Sequence, residues 1–439
     1  MDVSTKLQRI AQLAREDPKR ALTTLSHHID VEFLREAYRR TRKDGAPGVD
    51  GQTAEEYEKN LEANLRSLLD RFKSGAYRAP PVRRVHSPKG DGKTTRPIGI
   101  PTFEDKVLQR AVAMVLEEIY EWDFHYFSFG FRRSRDAHQA LAYLWTELMD
   151  MGGGWVLEVD IKSFFDTLDH GHLRAFLDQR VRDGVLRRAI DKWLKAGVLE
   201  EGQLMHPDEG SPQGGVISPL LANVYLHEVL DQWFETEVRP RMRGKAFAVR
   251  YADDFVLVFA LEADARRVYE VLPKRFAKFG LTIHPAKTKL VRFHRPRRAS
   301  TDKDHAQDGN PGSFVLLGFI HFWSRSLRGN WVIRRRTASN RFRRALKRID
   351  EWCRRNRHRP IEEQHRQLSL KLHGHYAYYG ITGNSYAIGR FQWWVGRTWR
   401  RWLNRRSQRA RMPWDTFNRL LEHYALPPAR CVHSALLTK

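Results

Sequence analysis

Ala246-Phe-Ala-Val-Arg-Tyr-Ala-Asp-Asp-Phe-Val-Leu-Val-Phe-Ala260 holds two apolar runs broken by a pair of acids, Asp253 and Asp254. Runs this short and this rich in valine and aromatics read as strands, and the break between them reads as a hairpin turn. An Asp-Asp turn alone is a common way to close a hairpin. Two adjacent carboxylates nevertheless repel each other, so they favour a cation. A second short apolar run, Trp155-Val-Leu-Glu-Val-Asp-Ile161, also ends in a carboxylate, Asp160. If these strands pair, Asp160, Asp253 and Asp254 converge at one end of a sheet. Such a site offers only oxygen ligands, which suits magnesium, and it can hold two Mg²⁺ ions about 3.5–4 Å apart.

Composition narrows the partners. The chain has 439 residues, 77 Lys+Arg against 52 Asp+Glu, and a net charge of +25. The excess is concentrated: Trp331 to Lys439 carries 25 basic and 6 acidic residues, a balance of +19, together with 7 of the 13 tryptophans. Basic side chains interleaved with aromatics can bind phosphates and stack on bases, so the expected partner is a nucleic acid. The bland reading is a solvated basic helical face over a tryptophan core. Only Cys353 and Cys431 occur, which excludes a disulfide scaffold or a four-cysteine zinc site and fits a reducing compartment. No run approaches the roughly 20 apolar residues of a membrane helix, and Met1 to Ile10 lacks the apolar core of a signal peptide.

Periodicity then places the remaining elements. Residues 1–75 read as mostly helical, with Leu7, Ile10, Leu13 and Ala14 on one face. Residues 76–102 read as short strands around the basic turn Ser87 to Lys93, followed by a helix from Phe103 to about Trp122. Gly210 to Pro219 is a Gly/Pro loop entering a helix, with Ser218 as its N-cap and Pro219 at the first helical position. A helix near Ala263–Phe279, a strand near Leu290 and another apolar strand from Phe314 to Phe322 are expected. Residues 295–312 are polar and read as a mobile insertion, and the chain beyond 325 reads as helical.

These motifs resemble, block by block and in order, those of reverse transcriptases. Lys89 and Arg96-Pro-Ile-Gly-Ile-Pro101 resemble the fingers block, and Phe129-Gly-Phe-Arg-Arg-Ser134 the next. Val159-Asp160 through Asp166 and Ser211-Pro-Gln-Gly-Gly215 through Asn223 resemble the palm blocks around Tyr251-Ala-Asp-Asp254. Pro285-Ala-Lys287 and Leu317-Gly-Phe319 resemble the last two. Gly45 to Gly51 and the wording from Gly210 to Tyr225 resemble the bacterial group II intron reverse transcriptase/maturase branch, and a sequence that stops at Lys439, soon after the expected thumb and without cysteine pairs, resembles its compact, endonuclease-lacking, group IIC-like form. The resemblance covers about residues 40–320, and the basic tail is similar to that family's thumb and maturase region.

The resemblance implies an α+β, right-hand polymerase with a helical N-terminal extension (1–75). Fingers (76–155, with parts of 172–210), a palm with an antiparallel sheet (156–325) and a basic helical thumb (326–439) follow. It implies that Asp160 and Asp253 hold two Mg²⁺ ions with the Ile161 carbonyl, and that Asp254 completes the group more loosely. Lys89, Arg96, Gln213 and Lys287 would meet the incoming dNTP, and Phe165 would exclude a 2′-hydroxyl. Arg132 and Arg133 would contact template phosphates. Trp393, Arg397, Arg400 and Arg401 would hold structured RNA. Partners would be the intron RNA, an RNA template with a DNA primer, dNTPs and a DNA target, with no membrane, in bacterial cytoplasm near the nucleoid. Two other readings fit the same residues: a domesticated polymerase in DNA repair or phage defence, or an RNA-binding splicing factor without polymerase activity.

Overall fold

A computed structural model describes residues 2–88, 95–200, 203–205, 214–296, 312–407, 409 and 411–434. The architecture is mixed α and β. Its strands are β1 (Val82–Pro88), β2 (Thr95–Ile100), β3 (Gly153–Val159), β4 (Val198–Glu200), β5 (Gln203–Met205), β6 (Ala246–Tyr251), β7 (Asp254–Phe259), β8 (Lys289–His294), β9 (Phe314–Leu316), β10 (Phe319–Arg325) and β11 (Trp331–Thr337). Among the described residues they form three sheets, ordered β2-β1-β4-β5, β6-β7-β3-β8 and β11-β10-β9. The chain divides into two compact units. One holds Met1–Asp136, Val159–Phe255 and Arg266–Thr288; the other holds Ala137–Glu158, Val256–Ala265 and Lys289–Lys439.

In the first unit, the helix Phe103–Asp123 buries Val107, Leu108, Ala111, Val112, Val115 and Ile119, and the helix Val3–Glu16 buries Leu7, Ile10 and Ala14. One side chain ties this N-terminal segment down. Arg180, 5% exposed, donates to Asp123 Oδ2 at 2.7 Å and to the carbonyl oxygens of Ala14, Asp17 and Arg20. A buried pair is dangerous to break, because the partner charge is then stranded. Arg180→Ala is expected to lower unfolding stability by about 3–5 kcal/mol in a urea titration, and Arg180→Met with Asp123→Leu to recover much of it. Equal losses in the single and double variants would contradict this account.

In the second unit, β3 and β8 are antiparallel, from Gly153 opposite His294 to Glu158 opposite Lys289. The helices Ser339–Asn356, Ile361–Tyr379, Ser385–Leu403 and Trp414–His423 surround a core of Cys353, Leu368, Leu372, Phe391, Val395, Trp399 and Phe417.

Several expectations need correction. The stretch Phe314–Phe322 is two strands, because Leu317 and Gly318 both take left-handed backbone angles, φ +52° and +79°, and reverse the chain. The region beyond 325 is not helical at its start: Trp331–Thr337 pairs with β10, burying Ile333, Arg335 and Thr337 in strict alternation. Ser218 is the first residue of its helix, and Ile217 occupies the cap. The basic turn from Lys89 and most of the polar 295–312 segment lie outside the described residues.

Candidate active site

Asp160 directly follows β3, and Asp253 directly precedes β7, the neighbouring strand. The backbone around Asp160 is fixed by the segment that follows the helix Glu262–Ala277. The Asp160 carbonyl accepts from His284 N at 2.8 Å, Ile161 pairs with Ile283, and Lys162 N donates to Thr282 O at 2.8 Å. Lys287, in the same segment, donates from Nζ to Asp160 Oδ2 at 2.9 Å. Asp253 is half-buried. Burial pushes its carboxyl above the usual carboxylate range, and Asp160 pushes the same way, while the charges of Arg96 and Arg250 oppose the rise. Asp254 opens β7 and is exposed.

Asp160 and Asp253 sit at the ends of neighbouring strands, and Asp254 follows Asp253 as the first residue of β7. Among the described residues, no group of three His, Cys, Asp or Glu side chains is gathered to hold a metal. Asp160 and Asp253 are in electrostatic contact, and the Lys287 ammonium pairs with Asp160. That donor set suits magnesium, which keeps several non-protein oxygens and takes one or two carboxylates plus substrate phosphates.

The other expected residues separate clearly. Phe165 sits half-exposed on the short helix Phe164–Asp166, beside a buried Phe164 with ring centroids 5.3 Å apart. Arg96 is exposed on β2, and its charge reaches Asp253. Lys89 and Gln213 lie outside the described residues. Arg132 needs correction. Its side chain is buried, and its guanidinium donates to Glu121 Oε2 at 3.0 Å, Glu121 Oε1 at 2.7 Å and the carbonyls of His125 and Ser128. An arginine whose fork is turned inward onto these acceptors braces a turn rather than meeting a template. Arg133 is half-exposed, and the two terminal nitrogens of its guanidinium pair with Glu118 at 2.7 Å and Glu117 at 3.6 Å.

The reverse transcriptase (RNA-dependent DNA polymerase) family matches residues 87–321, more than half of the chain. The chain belongs to the reverse transcriptases. A group II intron, maturase-specific domain matches residues 342–420. Protein YkfC of Escherichia coli (strain K12) is 38% identical over 290 residues, covering 59% of this chain and 76% of YkfC. The group II intron-encoded protein LtrA of Lactococcus lactis subsp. cremoris is 37% identical over 226 residues, 51% of this chain but only 37% of LtrA. The mitochondrial nuclear intron maturase 2 of Arabidopsis thaliana is 32% identical over 233 residues, 41% of this chain and 31% of that protein.

In this reverse transcriptase the maturase-type region carries a distinct surface. Trp393 is 54% exposed, and Arg397 lies 4.6 Å from its ring centroid and 5.2 Å from that of Trp414. Arg400 lies 4.1 Å from the Trp414 ring. Arginines laid over exposed tryptophans combine cationic and stacking surface. Arg401 is pulled aside: it pairs with Asp350, which also accepts from Trp402 Nε1 at 2.6 Å. No helix of the described residues is long and apolar enough to cross a membrane.

Sequence reasoning passed over two buried networks. Asp105 accepts from Tyr77, from Trp193 Nε1 at 2.7 Å and from Gln109 Nε2 at 3.0 Å, and burial pushes its carboxyl up to about 6. Gln109 Oε1 in turn accepts from Val216 N at 2.8 Å, where the Gly-rich loop enters its helix. The second network centres on Arg250. The signal available for it was a lone arginine inside the otherwise apolar run Ala246–Tyr251.

Proposed function

We propose that this chain extends a DNA primer on an RNA template by nucleotidyl transfer at Asp160 and Asp253, and that its basic helical region binds intron RNA to assist splicing and mobility. The observation that carries this reading is the meeting of Asp160 and Asp253, far apart in sequence, at adjacent strand ends of one sheet. On this reading the β6-β7-β3-β8 sheet is the palm, the β1–β2 region belongs to the fingers, and the helices from Ser339 onward form the thumb and maturase region.

Asp160, Asp253 and the Ile161 carbonyl would hold divalent ions, whose chemistry when bound is to lower the pKa of the primer 3′-hydroxyl and to neutralise charge on the departing pyrophosphate. The chain's own groups do the rest. The 3′-oxygen bonds to the α-phosphorus as the bond to the bridging oxygen breaks. Its proton passes to solvent, and the electron pair leaves on pyrophosphate. Arg96, with Lys89, grips the triphosphate, and Arg can do so with a bidentate fork. Gln213 touches the incoming nucleotide. Lys287, held at Asp160, is placed to shift onto the pyrophosphate as charge builds there. Asp254, exposed beside Asp253, supports the pair from the solvent side.

On this reading the Phe165 ring faces the sugar of the incoming nucleotide, where a flat aromatic would leave no room for a 2′-hydroxyl. Phe165→Ala is expected to raise ribonucleotide incorporation relative to dNTPs by about ten-fold or more in single-nucleotide extension. Unchanged discrimination would place the selecting group elsewhere. The direct test of the function is primer extension with Mg²⁺ on matched RNA and DNA templates, with dNTPs or NTPs. Extension of an RNA template with dNTPs, abolished by EDTA, is the expected result. No extension in the presence of intact RNA binding would favour a splicing factor without polymerase activity.

A further inference from the structure

The turn that carries Asp253 is strained. Ala252 has φ +57°, a left-handed conformation that an alanine adopts only when its surroundings impose it. Gly130 presses against this turn so closely that a Cβ there would collide with the Ala252 nitrogen and lie 2.8 Å from the Tyr251 carbonyl carbon. Beneath both lies Arg250, fully buried. Its Nε donates to Asp231 Oδ1 at 2.8 Å, and its second terminal nitrogen to Asp231 Oδ2. Its remaining nitrogen donates to Asn223 Oδ1 at 2.9 Å and to the Ala252 carbonyl at 3.2 Å. Asn223 then donates to the Gly130 carbonyl at 2.6 Å. Asp231 ends a π-helical stretch, His227–Asp231, a widening that is frequent at functional sites.

We propose that Arg250 is a positioning residue for the catalytic turn: its guanidinium, clamped by Asp231, holds the Ala252 carbonyl and thereby sets the bearing of Asp253. The proposal rests on the reading of Asp253 as a catalytic group. A planar guanidinium can serve Asp231, Asn223 and Ala252 at once. An ammonium cannot, although it keeps the charge that Asp231 needs. A turn released from its carbonyl anchor lets the strained alanine relax, and the carboxylate beside it moves.

The test uses the full chain in steady-state primer extension, with thermal melting measured in parallel. Arg250→Lys is expected to lower kcat by about 10- to 100-fold, the scale of a misplaced reacting group, with the KM for dNTP little changed and the Mg²⁺ needed for half-maximal rate raised several-fold. Glycine adopts the left-handed conformation without strain. Ala252→Gly placed in the Arg250→Lys chain is therefore expected to restore much of kcat without restoring the melting temperature. If Arg250→Lys does not fold, Asn223→Ser, which leaves the Arg250–Asp231 pair intact, is expected to give a smaller fall in kcat with the same rise in Mg²⁺ requirement. A fall in melting temperature with kcat and Mg²⁺ dependence unchanged, or a kcat loss that Ala252→Gly leaves untouched, would overturn the proposal. Asp253→Asn serves as the control. Activity in that variant would sink the catalytic reading itself, whereas an inactive Asp253→Asn beside a fully active Arg250→Lys would sink the positioning role alone.

Discussion

Asp253→Asn is expected to reduce cDNA synthesis on a primed RNA template by about a thousand-fold or more, while RNA affinity stays within error of wild type. The magnitude follows from the several kcal/mol of transition-state stabilisation that ion-held phosphates supply, each 1.36 kcal/mol being about ten-fold in rate. The substitution keeps the shape, removes the charge and turns one acceptor oxygen into an amide donor. It should also make the ion-free protein melt higher at neutral pH. Burial and Asp160 raise the Asp253 carboxyl above its usual range, so ionising it in the folded state opposes folding. The sign is fixed by that direction. Below the ordinary aspartate range both states are protonated and the two proteins should melt alike. As pH rises through the raised folded value, the wild type loses stability and the asparagine variant does not. Melting curves in EDTA across that range check this. A variant that retains full polymerase activity, or that melts lower at neutral pH, would contradict the assigned environment.

The second large effect concerns RNA. Affinity should fall steeply with salt, because each phosphate contact releases condensed counterions. Replacing Arg397 and Arg400 with alanine in the full chain should make the log–log slope shallower by about 1.4 to 1.8, at about 0.7–0.9 per contact. Trp393→Ala should act differently. It should weaken binding by about 1–3 kcal/mol, as loss of a base-stacking surface does, and leave the salt slope nearly unchanged. Filter binding with the same RNA over a salt series separates the two behaviours. An affinity indifferent to salt, or one unmoved by all three substitutions, would remove this face from the RNA interface. Arg401, already paired with Asp350, should contribute less than either of its neighbours.

Local chemistry was legible in the sequence. The turn at Asp253, the strand ending at Asp160 and the helices at Phe103–Asp123 and Glu262–Ala277 could each be read from periodicity within a dozen residues. The direction of a side chain was not. Arg132 and Arg133 are neighbours of one type, yet one fork turns inward onto Glu121 and backbone carbonyls while the other stays at the surface. Nothing in a basic composition distinguishes them. Arg250 was hidden for a related reason: its partners Asn223 and Asp231 lie on a helical stretch whose π-type widening leaves no mark in the hydrophobic pattern. The strand Trp331–Thr337 was masked by its arginines, one of which, Arg335, is buried and counts as an inward-facing position. The tryptophans beyond residue 331 split the same way. Trp399 is core, whereas Trp393, Trp394 and Trp414 are exposed, and composition alone assigns them no side.

The most direct test of the central claim counts ions. Manganese bound to the ternary complex with primed RNA and a non-reactive dNTP analogue can be measured by paramagnetic resonance. The account predicts about two ions per complex in the wild type, and a clear loss in Asp160→Asn and Asp253→Asn with the analogue still bound. The same ion count in all three proteins would contradict it.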